Sequence, residues 1–380
     1  MIEIIKFGVK TEMGIEKLKF RDSKLVKLVV RKIRDIAPKY EVKICHVCGT
    51  HEWTITHYGL RSLLPENIEV IAGPGCPVCV TPAAEIDEAI KLALEKNVTV
   101  TVFGDALRVP GSDISLLEAR TKGADVRVVY GVDDAVKMAL KEPEKEFVFF
   151  AIGFETTAPT TANAVLKKPP KNLSFLVSHR LIPPAMELLV GIGDLRIDGF
   201  IAPGHVSTII GLKPYEIFPK SYNMPTVVAG FEPLDVLIAV YMILKQLKDG
   251  KARLENEYVR AVKWEGNVKA QKLMNEAFEV VDGYWRGLGR LPNSAFALKE
   301  KFNFYDARKR FSIKIEKARD LKPGCQCHLV MIGKIKPDEC PLFMKACKPE
   351  HPIGPCMVSF EGTCQIWARA VPIFQKHHNY

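Results

Sequence analysis

The stretch Ile71-Ala72-Gly73-Pro74-Gly75-Cys76-Pro77-Val78-Cys79-Val80-Thr81-Pro82 sets two thiols three residues apart directly after an apolar run. Ile68, Val70 and Ile71 predict a short strand, Gly73-Pro74-Gly75 breaks it, and Pro82 opens a helix through Ile86 to Leu94. Sulfurs near a helix N-terminus meet unpaired backbone N–H groups and the positive end of the helix dipole. Both favour thiolate over thiol, and so disulfide exchange. The same spacing also suits half of a zinc site, or a pair of inert buried thiols.

Six of the ten cysteines follow Leu321: Cys325, Cys327, Cys340, Cys347, Cys356 and Cys364. Cys325, Cys340, Cys347 and Cys364 are a sufficient set for a 4Fe-4S cluster, although a four-cysteine zinc site or an assortment of free thiols fits the spacing too. Cys327 and Cys356 remain, as a second redox pair or as small buried residues. Earlier in the chain, Cys45-His46-Val47-Cys48 and the Cys76/Cys79 pair together suggest a zinc ribbon, but both sit in strand-to-helix turns rather than on hairpins. Cys48-Gly49-Thr50-His51 reads better as a soft-metal ligand or nucleophile with an imidazole one turn away. Gly153-Phe154-Glu155-Thr156-Thr157-Ala158-Pro159-Thr160-Thr161 gathers hydroxyls and a carboxylate around a helix start, suited to an anion, to a partner, or simply to capping. His205 follows Pro203-Gly204 at a strand end, and Glu361 precedes Cys364 by three residues as a candidate proton donor or a solvated carboxylate.

These residues need elements to hold them. Ser23 to Ile36 predicts an amphipathic helix with Ser23 as N-cap and Pro38 beyond its end. After it, strand, Gly/Pro-rich turn and helix alternate seven times, with strands ending at Ile44, Ile71, Phe103, Phe150, Val177, Ile201 and Val228. Crossover-length helical stretches between them predict parallel sheets covered by helices, with the chemistry gathered at the carboxyl ends of the strands. The charged stretch Lys141-Glu142-Pro143-Glu144-Lys145-Glu146 marks a division. The expected fold is α/β: a helix and first α/β domain over 1–143, a similar second domain over 144–250, a cleft between them, and a helical segment with a small loop-rich C-terminal module over 251–380. Glu232 to Lys248 and Leu254 to Val280 read as helical, and the cysteine-dense loops after Leu321 need a covalent or metal centre to hold them.

With 380 residues and ten cysteines, a structural disulfide framework is not expected, because the start Met1-Ile2-Glu3-Ile4-Ile5-Lys6 does not read as a leader and the longest apolar stretch, Leu234 to Leu244, is too short to span a bilayer. A cytoplasmic protein, not bound to a membrane, is the expectation. The net charge of +10 is scattered rather than gathered on one stretch, which argues against a nucleic-acid partner.

Cys48-Gly49-Thr50-His51, Gly73-Pro74-Gly75-Cys76-Pro77-Val78-Cys79, the Thr-rich turn continued to Ala162, Pro203-Gly204-His205-Val206-Ser207-Thr208 and the spacing Cys-x14-Cys-x6-Cys-x16-Cys together resemble the HypD family of hydrogenase maturation factors over nearly the whole chain. The resemblance implies a scaffold on which the iron of a [NiFe]-hydrogenase receives cyanide and carbon monoxide, working with the chaperone HypC and taking cyanide from HypE with HypF. It implies that Cys48 binds this iron, that Cys76 and Cys79 exchange electrons, and that Cys325, Cys340, Cys347 and Cys364 hold a 4Fe-4S cluster. His51, His205 and Glu361 match family positions near the iron. Cys45 lies outside the family pattern, which leaves a Cys45–Cys48 disulfide open. A competing reading is an iron–sulfur disulfide reductase resembling ferredoxin:thioredoxin reductase, which leaves Cys48, the Thr-rich turn and His205 without a task.

Overall fold

The first helix, Ser23–Ile36, carries Val29, Val30 and Ile33 on one buried stripe. Its N-cap is Asp22 rather than Ser23: the Asp22 carboxylate accepts from the backbone N–H groups of Lys24 and Leu25 at 2.8 and 3.4 Å. The stripe packs on the long helix Pro233–Asp249, whose Leu234, Leu237, Ile238 and Ile243 are buried in the same core as Ile44 and Val227. Each such side chain taken fully out of water contributes about 1.5–3 kcal/mol. The computed structural model describes residues 22–377, with side chains through residue 370; Met1–Lys6 lies outside the described residues.

Eleven strands are formed among the described residues. Those of the first sheet are β1 (Val42–His46), β2 (Ile68–Ala72), β7 (Gly199–Pro203), β8 (Thr226–Ala229) and β9 (Leu254–Asn256), in the order β2-β1-β7-β8-β9. The second sheet joins β3 (Thr99–Val102), β4 (Val126–Val128), β5 (Phe147–Gly153) and β6 (Leu173–His179) in the order β4-β3-β5-β6. Every pairing in both sheets is parallel. The α/β class with two parallel sheets therefore holds.

The division of strands does not follow the 143/144 boundary. Among the described residues, one compact unit comprises 22–75, 189–267 and 370–377, and the other 76–188 and 268–369. The chain leaves the first sheet after β2, builds the whole second sheet, and returns at β7. Sequence could not show this, because strands buried on both faces read as apolar runs whichever sheet they join.

Two further corrections concern the C-terminal third. Of the stretch expected to be helical between Leu254 and Val280, only Val268–Ala277 is helix; it follows the short strand β9 and leads into an antiparallel hairpin of β10 (Phe278–Trp285) and β11 (Gly289–Leu298). A register shift between Val281 and Gly283 breaks the alternation that would have announced the hairpin. The cysteine-rich region has the short helices Cys327–Met331 and Pro355–Val358, followed by Thr363–His377. Through residue 369 it belongs to the unit of the second sheet instead of forming a third body.

Candidate functional site

In the first unit, β1 delivers Cys48 to the start of the helix Gly49–His57, where it occupies the N-cap in an extended conformation with its side chain half-buried. The loop after β2 is pressed against this turn. Gly75 lies so close that a Cβ there would stand 2.3 Å from the Cys48 backbone nitrogen, and its carbonyl accepts from Gly49 N–H at 3.3 Å. Glycine is required there by space. Cys45 points elsewhere: it is fully buried, its Sγ lies 3.8 Å from the His46 carbonyl oxygen, and burial pushes its thiol far above the usual range. Neither it nor Cys48 is in a disulfide.

Beneath the turn is an ion network that the sequence reading missed. Buried Glu52 accepts from His46 Nε2 at 2.7 Å, from Thr56 Oγ1 at 2.6 Å, and from Arg61 through Nη1 and Nη2 at 2.9 and 2.7 Å. Burial opposes its ionisation, but Arg61 and His46 outweigh that and hold the carboxyl below the usual carboxylate range. The six-residue separation of His46 and Glu52 across a strand-to-helix turn gave no periodic signal.

His51 is fully buried one turn beyond Cys48 and donates from Nε2 to the Gly230 carbonyl at 2.8 Å. A carbonyl oxygen only accepts, so the proton is on Nε2 and Nδ1 is a bare nitrogen. That nitrogen is buried with no hydrogen-bond partner among the described residues. Burial, then repulsion from His46, keeps the ring neutral down to about 3. The Phe231 ring stacks with His51 at 4.8 Å and with exposed His205 at 3.8 Å between centroids. The structure thus joins His51 and His205 through the aromatic residue of the turn that follows β8.

In the second unit, Cys76 and Cys79 are joined by a disulfide with Cα atoms 5.3 Å apart. The expected helix start is refined: Cys76 caps a separate short helix, Pro77–Val80, and a second helix, Ala83–Glu95, begins after Pro82. The bridge is more enclosed than expected, with Cys76 at 5 % and Cys79 at 0 % exposure. Fully buried Arg286 ties this segment down by donating from its backbone N–H to the Val80 carbonyl at 2.8 Å and from Nε to the Thr81 carbonyl at 2.6 Å.

The helix bearing Cys356 packs against the helix bearing the disulfide. Cys325, Cys327, Cys340, Cys347, Cys356 and Cys364 line a single cavity together with Leu342, Phe343 and Met357. Gly354 closes one wall, where a Cβ would stand 2.6 Å from Cys325 Sγ. A hydrogen bond from Cys327, aided by the Arg286 charge, outweighs burial and brings the Cys325 thiol down to about 7. Among the described residues, no group of three or more His, Cys, Asp or Glu side chains converges as it would around one metal ion. The four cysteines expected as cluster ligands do line the same cavity, and a set of soft sulfur donors behind an apolar wall is chemically suited to iron and sulfide.

The remaining candidates are less concentrated. Glu361 is exposed; its backbone N–H donates to Ser359 Oγ at 3.3 Å, and that hydroxyl donates to Asp105 at 3.1 Å. In the Thr-rich turn, Thr160 donates to the Thr157 carbonyl at 2.8 Å, and Thr161 meets His179 Nε2 at 3.0 Å. Glu155 accepts from Ile182 N–H at 2.9 Å, and burial raises its carboxyl to about 7.

The model of the HypD family, described as a hydrogenase formation hypA family, matches residues 24–371. A Methanocaldococcus jannaschii protein named for hydrogenase expression and formation is 51% identical over 354 residues, covering 92% of this chain and 98% of that one. The hydrogenase maturation factor HypD of Rhizobium leguminosarum bv. viciae is 46% identical over 362 residues, and that of Cupriavidus necator 43% over 357. These alignments cover 92% and 91% of this chain and 94% of each relative. The chain belongs to the HypD family of hydrogenase maturation factors.

Proposed function

We propose that the chain is the scaffold on which the iron of a [NiFe]-hydrogenase acquires cyanide and carbon monoxide, with Cys48 as the thiolate that holds the iron. The observation that carries this is the Cys48 turn: a half-buried thiol at a helix start, with the bare Nδ1 of a neutral imidazole buried one turn away. Soft thiolate suits low-spin iron with strong-field ligands, and a neutral imidazole accepts a proton or a hydrogen bond without adding charge. On this reading HypC shares the iron and HypE, with HypF, brings the cyanide, while His205 and Phe231 form one wall of the iron site.

Cys76 and Cys79 serve as the exchangeable pair. Closing the disulfide releases two electrons and two protons; opening it takes them up. Cys325, Cys340, Cys347 and Cys364 would hold a 4Fe-4S cluster, which supplies electrons one at a time when bound. The packing of the Cys356 helix on the disulfide helix supports the redox reading. It equally favours the second reading, a disulfide reductase with its own thiol substrate.

One experiment separates the two. In anaerobically purified Cys48→Ala, the iron–sulfur absorbance and the cycling of the Cys76–Cys79 disulfide should persist. The infrared bands of iron-bound cyanide and carbon monoxide in the complex with HypC should vanish, and hydrogenase maturation with them. Undiminished bands in that variant, or bands lost only on Cys45→Ala, would assign the iron to another residue. A wild-type complex with no such bands that still reduces a disulfide substrate would favour the reductase.

A further inference from the structure

The loop that pairs with His51 is itself held by ionisable side chains outside every motif considered above. The Gly230 N–H donates to Glu257 Oε2 at 3.0 Å, while the carbonyl of the same residue accepts from His51. The Glu257 side chain is 5 % exposed and faces Arg260 Nη1 at 3.9 Å; Arg260 in turn pairs with fully buried Asp235 and lies 4.4 Å over the Tyr258 ring. Asp235 also accepts from the Glu232 N–H at 3.1 Å, so acidic side chains grip the backbone on both sides of Phe231. Gly230 is clamped from the side as well: a Cβ there would stand 2.2 Å from Asp235 Oδ2 and 2.7 Å from the Tyr258 ring.

Such an arrangement does more than hold a loop. The peptide of Gly230 decides which imidazole nitrogen of His51 carries the proton, and Phe231 sets the stacking of both His51 and His205. Outer groups that fix a ring through its far nitrogen determine the tautomer and the aim of the near one. We propose that Glu257, supported by Asp235 and Arg260, is a positioning residue for His51: by fixing the Gly230 peptide it presents a bare Nδ1 one helical turn from Cys48. The tautomer part of this inference stands on geometry alone; its consequence for metal rests on the reading of Cys48 given above.

The test uses the full-length chain with nitrogen-15-labelled histidine, because side-chain nitrogen shifts report the tautomer; His51→Gln identifies the signal. Wild-type His51 should show a single species protonated at Nε2. Glu257→Ala should mix the tautomers and weaken the Cys48-dependent cobalt(II) charge-transfer band about tenfold in affinity, as loss of an outer-shell partner does. Cys48→Ala supplies the background from cobalt bound elsewhere. Glu257→Gln should restore both readouts, since its amide oxygen still accepts from Gly230. A wild-type ring protonated at Nδ1 would overturn the proposal even if Glu257→Ala does not fold. So would a folded Glu257→Ala with an unchanged His51 spectrum, or a Gln variant as impaired as Ala. If wild type shows no Cys48-dependent cobalt band, the metal reading of Cys48 fails while the tautomer still decides the role of Glu257.

Discussion

Buried imidazoles link the chemistry of single residues to the acid stability of this protein. His179 is fully buried at the end of β6, with Nε2 3.0 Å from Thr161 Oγ1, and burial lowers its pKa from 6.5 to about 3. Below pH 6.5 the unfolded chain takes up a proton that the folded chain refuses, so this group's share of stability is present above that pH and lost as pH falls toward 3. At pH 5 the loss amounts to about 2 kcal/mol, from roughly 1.4 kcal/mol per unit. In His179→Asn the difference between urea midpoints at pH 8 and pH 5 should shrink correspondingly, even though the variant is less stable at pH 8. An unchanged difference would mean that His179 is hydrated and protonated in the folded state. At this scale the sequence was informative where motifs are local: Cys48 and Cys76 cap the helices that follow β1 and β2, and His51 and Cys79 lie in the first turns of those helices. It was silent on the partners of Glu52 and on Glu257 and Arg286, because each acts through a partner from another segment, and no spacing rule reports such a pair.

Among the elements, the turn between β2 and the disulfide helix shows how glycine sets a reactive position. A Cβ on Gly75 would meet the Cys48 backbone nitrogen and Cα at 2.3 and 2.4 Å, and backbone cannot swing aside as a side chain can. A Cβ on Gly73 meets its nearest neighbours at 3.0 to 3.2 Å, which a small shift relieves. Gly75→Ala should therefore lower stability by about 1–3 kcal/mol and change the rate at which iodoacetamide labels Cys48, while Gly73→Ala changes both much less. Thermal unfolding with mass-spectrometric labelling is the measurement; equal effects at the two sites would show that the loop is not what positions Cys48. The predicted strand-to-helix turns around this motif were legible because an apolar run broken by Gly-Pro-Gly leaves few alternatives. The strands β4 and β9 were not, being three residues each and only partly buried, too short and too wet to carry a period.

At the scale of the whole molecule, the order of strands matters more than their identity. The five-stranded sheet takes β1 and β2 from one end of its unit's sequence and β7, β8 and β9 from the other, with all of the second sheet inserted between. The apolar residues of the first helix are buried with Val227, Leu234, Leu237 and Ile243, and β1 pairs with β7 through Ile44, Cys45 and His46. A chain cut at the charged stretch near Lys141 would thus expose the inner edge of β1 and lack the helix that covers Val29 and Ile33. The boundary suggested by composition is a local rise in charge; the boundary in space is set by which strands hydrogen-bond, and charge along the chain does not report that. A fragment of residues 22–143 should fail to show a cooperative unfolding transition. Residues 22–75 joined through a flexible Gly/Ser linker to 189–267 should unfold cooperatively, since that piece carries the complete sheet and most of its core. Circular dichroism against urea decides it. Cooperative unfolding of 22–143 alone, with the spliced chain disordered, would mean that contiguous sequence rather than sheet membership defines the folding unit.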